Sequence, residues 1–421
     1  MRKNVLHYTL VALACAGALV FSSSCRKDPA VPGVGAGTVS GNVDLSTLTS
    51  DVVLLDGATL TGTLDGATQK CKISIADGAT VTLRNATING EHTDDSHELW
   101  AGLTCLGDAT IILDGTNAVQ NFNRYYPGLQ PGPDGTTLTI RGSGSLTATG
   151  RNFGAGIGTK RDGTCGNIRI EDGTVTANGG DRSAGIGVAE RGTCGHITIT
   201  GGTVTANGGY AGAGIGSGGG ISGTSQCGNI SISGGTVIAT GGLQASGIGS
   251  GEGDDSPTSL CGSISISGSA SVTATGGENG AGIGTGYRGK CGDISISGGT
   301  VMAQGGDIAT GIGTGEGNGE TKAECGDISI TWSKDFVSVT AIRGDGASLS
   351  IGKRYGDFDN RYKCGRITFD GIEVFNGIDY YNYGEPDDED YGHLHFAKTT
   401  TDDGDDDSDD TNNTWTLTPR S

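Results

Sequence analysis

Along most of this chain the apolar positions come as short pairs at period two, set apart by glycine, and the whole pattern recurs. From Cys165 onward the chain reads CGNIRIEDGTVTANGG…AGIG, CGHITITGGTVTANGG…AGIG, CGNISISGGTVIATGG…SGIG, CGSISISGSASVTATGG…AGIG and CGDISISGGTVMAQGG…TGIG, with two altered copies from Cys325 and Cys364. Each unit carries an I-x-I pair such as Ile197 and Ile199, a V-x-A pair such as Val204 and Ala206, and the lone isoleucine of GIG, such as Ile215. Alternation of this kind marks β-strands, and nothing recurs at helical spacing. A unit this short cannot bury its own apolar face, so neighbouring copies must stack. The pattern predicts an all-β chain folded as a single-stranded parallel β-helix, a solenoid with three short strands per rung and like residues in ladders ~4.8 Å apart.

The cysteines measure the repeat. Positions 165, 194, 227, 261, 291, 325 and 364 are separated by 29, 33, 34, 30, 34 and 39 residues, and Cys71 and Cys105, 34 apart, open the same count earlier. The copy from Thr137 to Gly150 fits if Gly135 stands in the cysteine's place. About ten rungs follow from this count, a coil on the order of 50 Å long at the spacing of paired strands. Glycine, 81 of 421 residues, clusters at the GG and GIG corners, where the chain needs positive φ or close backbone approach. With no three-residue glycine period and only 8 prolines, collagen is excluded.

The termini differ from the repeat. Arg2 and Lys3 precede the apolar run VLHYTLVALACAGALVF and then SSSC, the pattern of a secretory signal over residues 1–24 that ends at a lipidated cysteine, Cys25. Residues 25–37, with PAVPGVGAG, read as a linker, 38–375 as the coil, and 376–421 as an acidic segment. Net charge is −20, and −11 of it lies between Glu385 and Asp410, which argues against nucleic-acid binding and leaves the lipid as the sole membrane contact. Asp402–Asp410 lacks the ligand spacing of a dedicated calcium loop and reads as a solvated run. The closing NTWTLTP alternates like a strand and is expected to cover the last rung. Without Cys15 and Cys25 nine cysteines remain, and parallel stacking makes them a buried, mostly reduced column rather than a metal site.

Function is sought where copies differ. Between GIG and the next cysteine the loop runs 6, 6, 10, 11, 6, 11 and 11 residues, all from one edge, whereas the GG corner barely changes. This ridge carries Lys160, Arg161, Asp162, Glu190, Arg191, Tyr287, Arg288 and Lys290, and is densest at Lys353, Arg354, Tyr355, Asp357, Phe358, Asp359, Arg361, Tyr362 and Lys363. Aromatic faces beside paired charges suit sugars, so Tyr355, Phe358, Arg361, Tyr362, Tyr287 and Arg288 are the candidate ligand-binding residues. Phe122, Tyr125 and Tyr126 form a second aromatic group. Other motifs read as structural: GxGxxG at Gly284, Gly286 and Gly289 precedes no helix, and His92, Asp94, Asp95, His97 and Glu98 sit in an insertion loop. The TxT pairs Thr174/Thr176 and Thr203/Thr205 lose their regularity at Ile238 and Met302, which argues against an ice-binding face.

The unit CGxIxIxGGTVxA…GIG resembles the repeats of bacterial right-handed β-helix surface proteins of pectin-lyase-like architecture, over about three quarters of the chain. The segment before and after Cys25, with RKD following it, resembles surface lipoproteins of Bacteroidota, which implies a lipid anchor at the outer membrane or cell surface. That architecture hosts lyases, hydrolases and binders alike. The NTD, DD, HG and RIK motifs of its polygalacturonases do not occur here as a set, and Asp357 and Asp359 beside Arg361 and Lys363 are where lyase or hydrolase chemistry would sit. The expectation is a surface-anchored, noncatalytic protein that binds a polysaccharide or a host or cell-surface glycan, or acts as an adhesin, without a cofactor. The alternatives are a polysaccharide-processing enzyme and a structural spacer.

Overall fold

The computed structural model describes residues 37–90, 99–220, 222–254, 259–318, 322–347, 349–353, 362–375, 388–399 and 414–420, which belong to one compact unit, Gly35–Ser421. The signal segment with Cys25, the insertion from His92 to Glu98, the ridge residues Tyr355, Asp357, Phe358, Asp359 and Arg361, and the run Asp402–Asp410 lie outside the described residues.

Among those residues the fold is all-β apart from one 3-10 turn, Leu45–Thr47, and its strands pair in parallel between successive repeats. The GIG isoleucines form one ladder of a twelve-stranded sheet, with Ile157 opposite Ile186, Ile186 opposite Ile215, and so on to Ile351. The I-x-I and V-x-A strands build a larger sheet in which Ile197 lies against Ile230 and Val204 against Val237. Like residues fall opposite like because slipping one position would turn every isoleucine from core to solvent. Ile197, Ile199, Val204, Ala206 and Ile215 have no exposed surface, so each large aliphatic contributes about 1.5–3 kcal/mol of burial. The outward positions hold the threonine column Thr147, Thr176, Thr205, interrupted by Ile238 and Met302, both exposed.

Two readings of the cysteines need correction. Besides the three expected strands, each repeat from Cys165 onward has a short fourth one ending at its cysteine, and these form a seven-stranded ladder of their own. Cys71 and Cys105 are not part of it: Cys105 lies in the GIG-type ladder opposite Ile75, and Cys71 lies outside any strand, two residues ahead of the strand Ile73–Ile75 of that sheet. Equal spacing between cysteines does not fix which face of the coil a cysteine joins. All nine described cysteines are free thiols and buried, with the Cys165 and Cys194 sulfurs 3.1 Å apart.

The ends are covered differently. At the N-terminal end the Gln69 amide donates to the carbonyls of Leu45, Ser46 and Leu48 at 3.2, 3.2 and 2.9 Å, holding the 3-10 turn with its buried Leu45 against the first rungs. At the other end the strand Phe336–Ile342 pairs antiparallel with Thr414–Pro419, which pairs in turn with Leu394–Thr399. Phe369, Tyr391, Phe396 and Trp415 pack edge-on or stacked at 5.4–6.1 Å beneath this hairpin.

Candidate functional site

The loops between GIG and the cysteine strand form the ridge that the sequence marks out, and their shape is set by the backbone. In four of them a residue other than glycine takes a left-handed conformation just before a glycine: Asp162 at φ 55°, Arg191 at φ 56°, Ser222 at φ 57° and Arg288 at φ 52°. Each costs about 1–2 kcal/mol against the right-handed alternative, and hydrogen bonds across rungs hold it. Arg161 N donates to Tyr125 O at 2.8 Å, Asp162 N to Glu190 O at 3.0 Å, and Arg288 N to Glu316 O at 2.7 Å. Tyr287 N donates to Gln244 O at 2.8 Å and Gly253 N to Tyr287 O at 2.7 Å. The ridge is therefore fastened to its neighbours and to the corner between GG and GIG.

Its charges are largely engaged with one another. Glu190, 1% exposed, lies 2.7 Å from Arg161 Nε and 2.9 Å from Arg182 Nη1. Arg191 bonds Asp162 through both Nε and Nη2, at 2.6 and 2.7 Å, and holds that carboxyl below its usual range. The guanidinium carbons of Arg124 and Arg161 lie 5.0–5.6 Å from the stacked rings of Tyr125 and Phe153. Burial pushes the Glu252 carboxyl upward, against the opposing pull of Arg182 and Arg288.

Of the anticipated ligand-binding residues, Tyr287 and Arg288 are on the ridge. The Arg288 guanidinium lies 4.6 Å over the Tyr287 ring and 3.7 Å from Asp254 Oδ1. Tyr362 is different: it begins the cysteine-ladder strand Tyr362–Cys364, opposite Ala323, and its side chain is buried, so it faces the core rather than a ligand. Phe122, from the second aromatic group, is fully buried against Trp100 at 6.0 Å, and Tyr126 is buried under Lys160, whose Nζ is 4.8 Å from its ring. Tyr125 stays half-buried between the two arginines.

The sequence reading passed over the GG corner, which supplies the other half of the site. Tyr210 is 49% exposed there, Gln244 on the next rung donates to its hydroxyl at 3.5 Å, and Asn279 on the rung after donates to Gln244 Oε1 at 2.7 Å. The one available signal was size, since Tyr210 and Leu243 take the place after GG that Asp181, Glu278 and Asp307 occupy elsewhere. Two tyrosines, two amides, a guanidinium and the carboxylates of Glu252 and Asp254 thus share one edge.

Family comparison agrees with this architecture. The beta helix repeat model matches residues 138–159, 168–187, 197–219, 230–252, 264–287 and 294–316. The chain is a parallel β-helix protein. Each matched stretch starts at an I-x-I strand or its equivalent and ends in or just before the ridge loop, so the ridge lies at the margin of what the repeat conserves in form. Comparison with curated proteins and with solved structures gave no match.

Proposed function

We propose that this β-helix protein is a surface-anchored, noncatalytic glycan binder whose site is the edge formed by the ridge loops and the GG corner. The observation that carries this reading is the pairing of half-exposed rings, Tyr210 and Tyr287, with the amide of Gln244, held in place by the buried Asn279, and the guanidinium of Arg288 on rungs whose backbones are hydrogen-bonded together. A pyranose packs its C–H face on an aromatic ring and gives its hydroxyls to amides and charged groups. A rigid edge also lowers the entropy lost on binding. Two of the ridge carboxylates, Glu190 and Asp162, are each tied to arginine, which leaves neither as a nucleophile or base beside a protonated partner. Anchorage through a lipid on Cys25, at the outer membrane or cell surface, completes the proposal and rests on the sequence of residues 1–25.

The test is a glycan array probed with the full-length chain in detergent, with chromatography of any bound glycan after incubation. Binding without cleavage is expected, and the double substitution Tyr210→Ala, Tyr287→Ala should weaken it about tenfold or more, the sum of two ring contacts of about 1 kcal/mol each, with circular dichroism unchanged. Shortened or unsaturated products would replace this reading by the enzymatic one. Failure to bind any glycan would overturn it.

A further inference from the structure

Two hairpin tips meet near the C-terminal end of the coil, and their contact is built rather than incidental. The first tip joins Ile367–Phe369 to Ile372–Phe375 through Asp370 and Gly371, at φ 47° and 81°, a two-residue turn with both centres left-handed. The second joins Asp390–Tyr391 to Leu394–Thr399 through Gly392 and His393, with Gly392 at φ 63°. The Asp370 carboxylate fastens one to the other: Oδ2 accepts from His393 N at 2.8 Å and lies 2.7 Å from His393 Nδ1, while Oδ1 accepts from Trp332 N at 3.2 Å. A side chain at position 392 would overlap Asp370 Oδ2, so the glycine is required for this approach.

The three bonds hold Asp370 below its usual range although burial opposes them. In the neutral imidazole a carboxylate at Nδ1 favours the proton on that nitrogen, which makes Nε2 an acceptor. The imidazole, its side chain 69% exposed, stacks on the Trp332 ring at 5.0 Å with 28° between planes. Trp332 itself is 40% exposed, unlike Trp415, which the core covers almost completely. With the imidazole over one face of the indole, the exposed surface of Trp332 is the other face and the ring edge.

We propose that Trp332 and His393, positioned by Asp370, form a second saccharide-binding subsite, which takes a pyranose ring by its C–H face on the indole face that the imidazole leaves open and one of its hydroxyls, across the ring edge, by a hydrogen bond to His393 Nε2. The chemistry favours a sugar over a protein partner. The chain neighbours of the indole, Thr331, Ser333 and Lys334, are polar, and the groups beside the ring are an imidazole and a carboxylate rather than a run of apolar side chains. The inference rests on the reading of the chain as a glycan binder, and it places a second contact at a separate locus from Tyr210 and Tyr287.

The experiment titrates the full-length chain in detergent with hexasaccharides of glucose, mannose, galactose and N-acetylglucosamine, following tryptophan emission and heat of binding together. For a hexasaccharide that binds, emission should change, Trp332→Phe should abolish that change while keeping affinity within about threefold, and Trp332→Ala should lower affinity about tenfold. His393→Ala should weaken binding about fivefold. Tyr210→Ala with Tyr287→Ala should leave the emission change in place. Full affinity in Trp332→Ala, or an emission change that survives Trp332→Phe, overturns the subsite while the glycan reading stands. Heat of binding from none of the four overturns the subsite as well.

Discussion

Replacing Gly216 by alanine tests the stacking of the rungs directly, because a second glycine separates strain from collision. Gly57, at φ 80°, has nothing within 4 Å of where a Cβ would stand. Alanine there meets only the left-handed backbone penalty, about 1–2 kcal/mol, partly offset by about 0.4–1 kcal/mol from a stiffer unfolded chain. Gly216, at φ 138°, faces the next rung, and its Cβ would overlap the carbonyl oxygen of Gly249. That oxygen cannot retreat cheaply, since Ile215 N bonds Gly247 O at 3.0 Å and Ser217 N bonds Gly249 O at 3.0 Å on either side. Breaking two buried backbone bonds costs about 1–3 kcal/mol each. Gly216→Ala should therefore destabilise by about 3–6 kcal/mol and Gly57→Ala by about 1 kcal/mol, read from urea midpoints and from amide exchange at Ile215 and Ser217. Equal losses in the two variants, or exchange at Ile215 left as protected as before, would refute the account of why glycine recurs in GIG.

Other outcomes follow from the buried charges, thiols and rings. Glu190→Gln should cost about 3 kcal/mol because it strips a buried partner from two arginines, whereas Asp162→Asn, at an exposed pair, should cost under about 1 kcal/mol; paired denaturant curves decide. The Cys105 thiol, whose ordinary value is 9.0, is pushed up to about 12 by burial, so the folded chain keeps this proton longer than the unfolded one. Its contribution is complete below pH 9 and is lost as pH rises toward about 12, which alkaline melting of the chain and of Cys105→Ala, with the slope between those limits reduced in the variant, will check. Thiol titration should find the nine coil cysteines unreactive when native and all reactive in denaturant without reductant; thiols still hidden there would mean bridges between rungs. Tyr362→Ala should lower stability by about 3 kcal/mol, as for a core aromatic, and a melting curve like that of the parent chain would return Tyr362 to the surface.

The fold was legible because its information is local and repeated: β-branched residues at alternate positions give the strands, and glycines mark the corners. Phase was harder. Cys71 and Cys105 keep the repeat's spacing, yet Cys105 sits in a different ladder and Cys71 just ahead of a strand of that ladder, since spacing fixes how many residues make a turn and not which face a residue joins. Tyr362 was read as loop because the strand that holds it is three residues long and its only mark is the cysteine that ends it. Tyr287 and Arg288 were visible as departures from a glycine loop, and Tyr210 would have been by the same logic applied to the GG corner. Trp332 and His393 left no periodic trace at all. They are joined by hairpins that occur once, through a carboxylate from a third stretch of chain.

The in-register ladders bear on how such a molecule changes over generations. Ile197 meets Ile230 much as Ile230 meets Ile264, so these rungs present the same isoleucine core on their two sides. Duplicating or deleting one cysteine-to-cysteine unit in the gene would leave that core as it was at each remaining contact, and the chain would differ chiefly in how far apart its ends lie. The 3-10 turn under Gln69 and the closing strand around Trp415 have no such freedom, because each fits one neighbour only. Length is the variable that unequal recombination can adjust in this gene, and the two ends are what selection must hold fixed.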